Sequence, residues 1–222
     1  LRSYISNTYI YISSILLYGF FPFLFLGRKG AIFGCNIWGK NIIACAKYVM
    51  GINYKIEGEV PKGGVILASM HQSAWETAFF YIPRYDAVYV YKKALSYIPM
   101  FNIFLWAAGH ICLDRKGGMS AVKKLIRDVK NRTEAGRAVV IFPEGTRKKH
   151  GDEIKIKSGI LALYKALPEV PIVPVALDSG KLWPRQARIK KAGTITVRFG
   201  KPIPSGLSKE EFIEKLKQGM TL

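Results

Sequence analysis

Residues 64–76, with the sequence Gly-Val-Ile-Leu-Ala-Ser-Met-His-Gln-Ser-Ala-Trp-Glu, decide the fold prediction because an apolar run leads directly into a polar turn. The run at 64–69 has no charged residue and no regular alternation, which is typical of a strand buried on both faces of a parallel sheet. Ligands and catalytic groups in open α/β sheets collect at the carboxyl ends of such strands. The pattern therefore places His71 where chemistry is expected.

His71 and Glu76 are five positions apart, so they do not share a helix face, where neighbours are three or four apart. They can still meet if His71 lies in the turn and Glu76 lies in the first turns of the following helix. A carboxylate on one imidazole nitrogen would fix the tautomer and leave the other nitrogen free to accept a proton. Alternatively, His71 is an ordinary polar residue at a strand end and Glu76 a favourable charge near a helix N-terminus.

The rest of the chain alternates between apolar runs and helical patterns. Strands are predicted at 65–68, 87–91, 110–113, 138–142, 172–176 and 194–199. One helix is predicted to bury Met119, Val122, Leu125, Ile126 and Val129 on one face. Further helices are predicted at 158–167 and after a capping box formed by Ser208 and Glu211. The alternation predicts an α/β fold with a mostly parallel or mixed sheet flanked by helices.

The N-terminal segment 4–26 contains no charged side chain and is long enough for one membrane span. Arg28 and Lys29 follow at once, as in a positive-inside flank. A transmembrane helix fits this composition, and so does an interfacial helix or re-entrant hairpin bent at Gly19 and Pro22. A signal peptide fits less well, because no small-residue cleavage site follows the apolar run cleanly.

A second mostly apolar stretch, 31–52, carries Lys40 and Lys47 on one helical face because they are seven apart. It is interpreted either as an amphipathic helix on an anionic bilayer or as an ordinary helix packed on the core. We expect an apolar, helical membrane-association region at 1–53 and an α/β domain at 54–222.

The formal net charge of +19, from 34 basic and 15 acidic residues, predicts an anionic partner. Phospholipid and phosphorylated substrates explain it as well as nucleic acid does, and no nucleic-acid-binding motif is present, so we expect no nucleic-acid partner. Cys35, Cys45 and Cys112 have neither zinc nor disulfide spacing, which favours reduced, buried thiols and a cytosolic-facing protein. The three histidines are too scattered to indicate a metal site.

Residues 142–147, Phe-Pro-Glu-Gly-Thr-Arg, place polar groups at the end of another predicted strand. Gly145 would let a ligand approach the backbone closely, and Arg147 can bind a phosphate through two parallel hydrogen bonds. Glu144 could accept a hydrogen bond from a substrate hydroxyl. A plain turn with a solvated arginine is the alternative. Arg115 and Lys93 follow two other predicted strands and add positive charge at the same edge.

Five segments in this order resemble the conserved blocks of the glycerolipid or lysophospholipid acyltransferases. They are HQSAWE at 71–76, KKALSYIP at 92–99 leading to ICLDR at 111–115, FPEGTR at 142–147 and VPIVPVA at 170–176. The resemblance covers roughly 54–204 and is nearest to the bacterial 1-acylglycerol-3-phosphate acyltransferases, which make phosphatidic acid. The commoner acid of the first block is aspartate, so the extra methylene of Glu76 must be absorbed by the geometry.

The resemblance implies that His71 is a general base oriented by Glu76. His71 would take a proton from the free hydroxyl of 1-acylglycerol-3-phosphate, and the oxygen would attack the thioester of acyl-CoA or acyl carrier protein. It further implies substrate-binding roles for Lys93, Arg115, Glu144, Gly145, Thr146 and Arg147. No acyl-enzyme, metal or other cofactor is implied.

The same resemblance implies a membrane-associated enzyme of phospholipid synthesis at the cytoplasmic face of the inner or plasma membrane. Its partners would be the lysophospholipid substrate, the acyl donor and the membrane surface. Two alternatives remain open. The acceptor could be another lysophospholipid or a lyso-amino-lipid, or the chain could be a non-catalytic protein that binds anionic lipid.

Overall fold

One mixed sheet of seven strands forms the centre of the computed structural model, which describes residues 2–5, 8–9, 17–98, 101–185 and 189–222. The strands are β1 (Ile52–Glu57), β2 (Val65–Ser69), β3 (Val88–Lys92), β4 (Ile111–Leu113), β5 (Ala138–Ile141), β6 (Ile172–Leu177) and β7 (Gly193–Phe199). Their order across the sheet is β1-β7-β6-β2-β5-β3-β4. All six predicted strands are confirmed, with ends that differ by at most one residue from the prediction.

Strand β1 was not predicted. Its sequence, Ile-Asn-Tyr-Lys-Ile-Glu, buries only Ile52, and it pairs with β7 alone at the edge of the sheet. An edge strand with exposed polar residues lacks the apolar run by which the other strands were recognised. The predicted boundary between residues 53 and 54 falls inside this strand, and the division into two domains stays a prediction.

The helices flank the sheet. They are α1 (Gly27–Tyr48), α2 (Trp75–Phe79), α3 (Phe101–Ala107), α4 (Gly118–Glu134), α5 (Ser158–Ala166), α6 (Ser179–Leu182) and α7 (Lys209–Gly219), with 3-10 helices at Leu17–Leu26 and Lys93–Tyr97. The predicted capping box of Ser208 and Glu211 is present at the start of α7. One expectation for α4 was wrong: Met119 lies in the first turn and is 70% exposed, because the buried face begins only at Leu125.

Helix α1 packs against the core along one face, and its other face is solvated. Ala31, Ile42 and Ala46 are buried in the same cluster as the sheet, whereas Lys40 and Lys47 are exposed. Within the described ranges, no helix combines the length and the apolar character needed to cross a bilayer. The predicted apolar segment at 4–26 lies partly outside the described residues, and its membrane association stays a prediction.

Strand β2 lies at the centre of the sheet, and all five of its residues are buried. Val65 and Leu67 belong to the core layer that includes α1, while Ile66 and Ala68 belong to the layer packed against α4, α5 and α7. Full burial of a side chain such as Ile66 or Leu67 stabilises the fold by roughly 1.5–3 kcal/mol. The turn that carries His71 therefore starts from a strand fixed on both faces.

The mutually parallel strands β2 to β6 end at one edge of the sheet, called here the carboxyl edge. The chain leaves this edge in the segments 70–76, 93–97, 114–117, 142–148 and 178–185. All the predicted site residues lie in these segments.

Candidate active site

His71 is fixed by the loop that follows β5. Its backbone N–H donates to Glu144 Oε2 at 3.0 Å, and its carbonyl accepts from the backbone N–H of Lys148 at 2.8 Å. The imidazole stacks on the ring of Phe142, with centroids 4.0 Å apart and planes at 17°. Residues more than seventy positions apart thus determine where the imidazole lies.

Glu76 is fully buried and binds the turn that contains His71. Its Oε1 accepts from the backbone N–H groups of Gln72 at 2.7 Å and Ser73 at 2.8 Å. Its Oε2 accepts from the N–H of Ser73 at 3.0 Å. The Ser73 hydroxyl oxygen accepts in turn from the N–H of Trp75 at 3.0 Å. The acid therefore shapes residues 71–75 through their backbone.

The predicted hydrogen bond between Glu76 and the His71 ring is absent from this structure. His71 Nδ1 is buried and has no hydrogen-bond partner among the described residues. The physical reason is that the carboxylate oxygens of Glu76 are directed at the amides of residues 72 and 73. Any orienting effect of Glu76 on His71 in this geometry acts through the turn, and the catalytic roles of both residues stay predictions.

The Glu76 carboxyl titrates near neutrality. Burial raises its pKa to about 7, while hydrogen bonds from Gln72, Ser179 and Ser73 oppose the rise. Every hydrogen-bond partner of the carboxylate among the described residues is an N–H or O–H donor, a set that fits the ionised form.

Three guanidinium groups surround His71. Burial, as the larger cause, and the positive charges of Arg147, Arg115 and Arg185 together lower the pKa of His71 to about 3. Arg115 lies beside Gly145, where an added Cβ would be 3.7 Å from the Arg115 Cζ. Arg185 Nη1 donates to the Arg147 carbonyl at 3.3 Å. The predicted pair Arg115 and Arg147 is thus joined by an arginine that the sequence analysis missed.

The turn at 142–146 has the backbone that a close-fitting loop requires. Gly145 has a φ of +70°, which disfavours side chains, and its N–H donates to the Phe142 carbonyl at 2.9 Å. Glu144 is buried, and burial raises its pKa. Its Oε2 binds the His71 backbone, while Oε1 is buried without a hydrogen-bond partner among the described residues. Thr146 is exposed on this turn.

Lys93 lies at the same edge but is ion-paired. Its Nζ is 2.8 Å from Asp114 Oδ2, and both side chains are substantially exposed. This pair neutralises part of the charge predicted for substrate binding. Cys112, expected to be buried, is half-buried and lies with its Sγ 3.6 Å from the Ser96 hydroxyl.

The loop after β6 supplies groups that the sequence analysis missed. Ser179 Oγ donates to Glu76 Oε1 at 2.7 Å, and the Gly180 N–H donates to Gln72 Oε1 at 3.0 Å. Strand β6 also ends at the carboxyl edge, so the rule that places ligand groups at the ends of parallel strands holds for it as well. This rule is the sequence signal that indicates 178–185, including Arg185, as a site segment.

No group of three or more His, Cys, Asp or Glu residues in the described part of the chain is arranged to hold a metal ion.

Comparison with known proteins identifies the family. The sequence profile of the family described as "Acyltransferase" matches residues 51–178, more than half of the 222 residues. The chain is 34% identical over 168 residues to a 1-acyl-sn-glycerol-3-phosphate acyltransferase of Pseudomonas aeruginosa, covering 73% of this chain and 64% of that protein. It is 31% identical over 173 residues to the enzyme of that name from Limnanthes douglasii, covering 76% and 60%. The alignments thus span less than two thirds of either relative.

The fold is also similar to a solved structure. The crystal structure of the 1-acyl-sn-glycerophosphate (LPA) acyltransferase PlsC from Thermotoga maritima superposes with a TM-score of 0.77 at 22% identity. The superposition covers 98% of this chain and 92% of that one. With its α/β fold, its polar carboxyl edge and the profile match over most of its globular part, this chain belongs to the acyltransferase family.

Proposed function

We propose that this protein transfers a fatty acyl group from acyl-CoA or acyl carrier protein to the free hydroxyl of 1-acylglycerol-3-phosphate, giving phosphatidic acid. The observation that carries the proposal is the position of the His71 imidazole within the field of Arg115, Arg147 and Arg185. A proton acceptor beside clustered guanidinium groups suits a substrate that carries both a hydroxyl and a phosphate. The names of the two sequence relatives support the same acceptor.

His71 acts as the general base. It takes the proton of the acceptor hydroxyl as the oxygen attacks the thioester carbonyl. The carbon–sulfur bond then breaks, and the thiol leaves with the proton returned by the imidazolium. Ser73 is unsuited to be a nucleophile, because it is fully buried and its oxygen accepts from Trp75. The proposed transfer is direct, without an acyl-enzyme and without a further cofactor.

The phosphate of the substrate strengthens the base. With a pKa of about 3, His71 is a weak proton acceptor in the free protein. A phosphate dianion bound to the arginines offsets the positive charges that disfavour the imidazolium. Binding of the correct acceptor would therefore raise the pKa of His71 toward the range in which general bases are effective.

The arginine cluster favours a phosphorylated acceptor over a lyso-amino-lipid. Arg147 and Arg115 form no ion pair with a described acidic residue, and Arg147 is half-buried. Uncompensated guanidinium groups at the carboxyl edge bind phosphate oxygens through charge-assisted hydrogen bonds. Glu144 Oε1, buried and unpartnered, is available to accept a hydrogen bond from the glycerol part of the substrate.

Membrane association at the cytoplasmic face is part of the proposal, because the acceptor is a lipid. Helix α1 and the start of β1 border a groove of about 540 Å³. Ile43, Tyr54 and Ile82 line it together with Lys40 and Lys47. Apolar side chains beside exposed ammonium groups are suited to an anionic bilayer surface.

An acyl-transfer assay tests the proposal. Purified protein would be incubated with lysophosphatidic acid and either acyl-CoA or acyl carrier protein loaded with the same chain. We expect phosphatidic acid from the wild type and a loss of turnover of about 100- to 10,000-fold in His71→Ala, the usual contribution of a general base. His150→Ala is the matched control, since His150 is exposed on the protein surface.

Two outcomes would contradict the proposal. Wild-type turnover by a folded His71→Ala variant would exclude His71 as the base. Equal rates with acceptors that carry and that lack a phosphate would exclude the arginine cluster as the phosphate site. Circular dichroism and the unfolding midpoint would verify that each variant is folded.

A further inference from the structure

Ser179 is a fully buried serine that makes none of the substrate contacts proposed above, yet it contacts Glu76, the acid of the first motif. It begins helix α6, directly after β6, and its Oγ donates to Glu76 Oε1 at 2.7 Å. It lies one residue beyond the segment 51–178 that the family profile matches. Its hydroxyl is therefore not part of the motifs by which the family was recognised.

A second contact joins the same two segments. The Gly180 N–H donates to the side-chain Oε1 of Gln72 at 3.0 Å. A Cβ at Gly180 would lie 2.8 Å from that oxygen, so only glycine fits without displacing Gln72. Two adjacent residues after β6 thus bind two residues of the segment 70–76 that follows β2.

We propose that Ser179 is a positioning residue for acyl transfer: its hydroxyl fixes the Glu76 carboxylate, and through it the turn that carries His71. This inference rests on the proposed function. Glu76 Oε1 accepts from Gln72, Ser73 and Ser179, and only the last of these donors is a side chain from another segment. Ser179 is consequently the side chain that ties the Glu76 carboxylate to the loop after β6.

Loss of this hydroxyl would act on the chemistry as well as on packing. Glu76 is buried, so a lost donor is not replaced by bulk water, and the ionised carboxylate becomes less favourable. Among the described residues, the other titratable groups near Glu76 are Arg147, whose pKa the Glu76 charge raises, and Tyr89, whose hydroxyl donates to the Glu76 carbonyl at 3.3 Å. Neither replaces the Ser179 contact to Oε1.

The test compares Ser179→Ala and Ser179→Cys with the wild type. Removal of a hydrogen bond to a charged group predicts a decrease of kcat of about 10- to 100-fold in Ser179→Ala. KM for lysophosphatidic acid should change little, since the arginines are untouched. The acid limb of the pH profile should move to higher pH, because the pKa of Glu76 rises. Ser179→Cys keeps the volume with a weaker donor and should lie between the two.

The matched control is Ser208→Ala, which removes another serine hydroxyl, the cap of α7. It should lower the unfolding midpoint and leave kcat and the pH profile unchanged. Wild-type kcat and an unmoved acid limb in Ser179→Ala would overturn the positioning role. If Ser179→Ala does not fold, the same two readouts in Ser179→Cys decide.

Failure of the proposed function would be seen separately, as an inactive wild type. In that case the pKa of Glu76, measured by carbon-13 NMR of the carboxyl, still decides the inference. A rise in Ser179→Ala relative to wild type would support the link between Ser179 and the carboxylate. An unchanged value would overturn it.

Discussion

His71 has two properties that both lower the basicity of an imidazole: it is largely buried, and the charges around it are positive. Burial and Arg147, Arg115 and Arg185 together lower its pKa to about 3. The stacked Phe142 ring and the backbone contacts to Glu144 fix the imidazole without hydrogen-bonding its nitrogens. The base is thus positioned before the substrate arrives, and its basicity depends on what neutralises the arginines.

A prediction at the residue scale follows. Glycerol 3-phosphate, which carries the phosphate without an acyl chain, should raise the pKa of His71 from about 3 toward the ordinary value of 6.5. The physical reason is that the phosphate charge compensates the three guanidinium groups. Nitrogen-15 NMR of labelled histidine at about pH 5 should show a neutral ring without the ligand and an increased imidazolium fraction with it.

His110 is the internal control for this measurement. Its pKa is also lowered to about 3, by burial and by Arg137 and Arg132, and it lies before β4 at the opposite edge of the sheet. Its signal should not respond to glycerol 3-phosphate. A His71 pKa that stays unchanged at saturating ligand would contradict the prediction, and Arg147→Gln should weaken the response.

Residue types at the site were predictable from the sequence, but their partners were not. Glu144, Gly145 and Arg147 follow an apolar run, so their place at the carboxyl edge followed from the α/β pattern. The partner of Glu76 was predicted wrongly. It binds turn amides and a serine 103 positions later in the chain, and no local spacing encodes the direction in which a carboxylate points.

At the scale of elements, helix α1 has two faces with different surroundings. Its inward face packs on the core layer that contains β2, and its outward face borders the groove with Lys40 and Lys47. The sequence pattern allowed either a core-packed or a membrane-facing helix. The structure shows that core packing uses one face only and that Lys40 and Lys47 are exposed on the other.

The groove leads to a prediction for membrane binding. The double variant Lys40→Gln/Lys47→Gln should bind vesicles of phosphatidylcholine and phosphatidylglycerol roughly 10- to 30-fold more weakly than wild type, since each lysine near an anionic surface contributes about 1 kcal/mol. Co-sedimentation with these vesicles measures the effect. Binding to pure phosphatidylcholine should be nearly the same for both proteins.

Lys209→Gln/Lys215→Gln on α7 is the matched control, because it removes the same number of exposed charges from another helix. An equal loss of binding in both double variants would mean that the net charge of +19, and not the groove, attracts the membrane.

At the scale of the whole molecule, the arginines at the two edges of the sheet have different partners. At the carboxyl edge, Arg115 and Arg147 have no ion-pair partner among the described residues, whereas arginines at the amino edge bind loops. Arg84 donates to the carbonyls of Pro61 at 2.6 Å and Gly63 at 2.8 Å, and it is ion-paired with Asp86. Arg137 donates to the Ala108 carbonyl at 2.9 Å. These contacts join the segments that precede β2, β3, β4 and β5.

Replacement of Arg84 should therefore affect stability and not chemistry. Arg84→Ala leaves the Pro61 and Gly63 carbonyls without this donor and Asp86 without its ion-pair partner, so the free energy of unfolding should fall by about 2 kcal/mol. Urea unfolding measures the change, and kcat of the folded protein should be retained. The exposed Arg127→Ala should change stability by less than about 0.5 kcal/mol. A comparable loss in both variants would contradict a specific role of Arg84.

The sequence by itself determined the α/β class, six of the seven strands, the edge at which the site forms and the family, because long apolar runs and short motifs are local properties. Only the tertiary structure decided how Glu76 is bound, that Arg185 joins Arg115 and Arg147, and where β1 pairs. Hydrogen-bond partners and charge clusters depend on the directions in which distant segments meet. Those directions are set by the packing of the sheet, and the sequence of a single strand does not encode that packing.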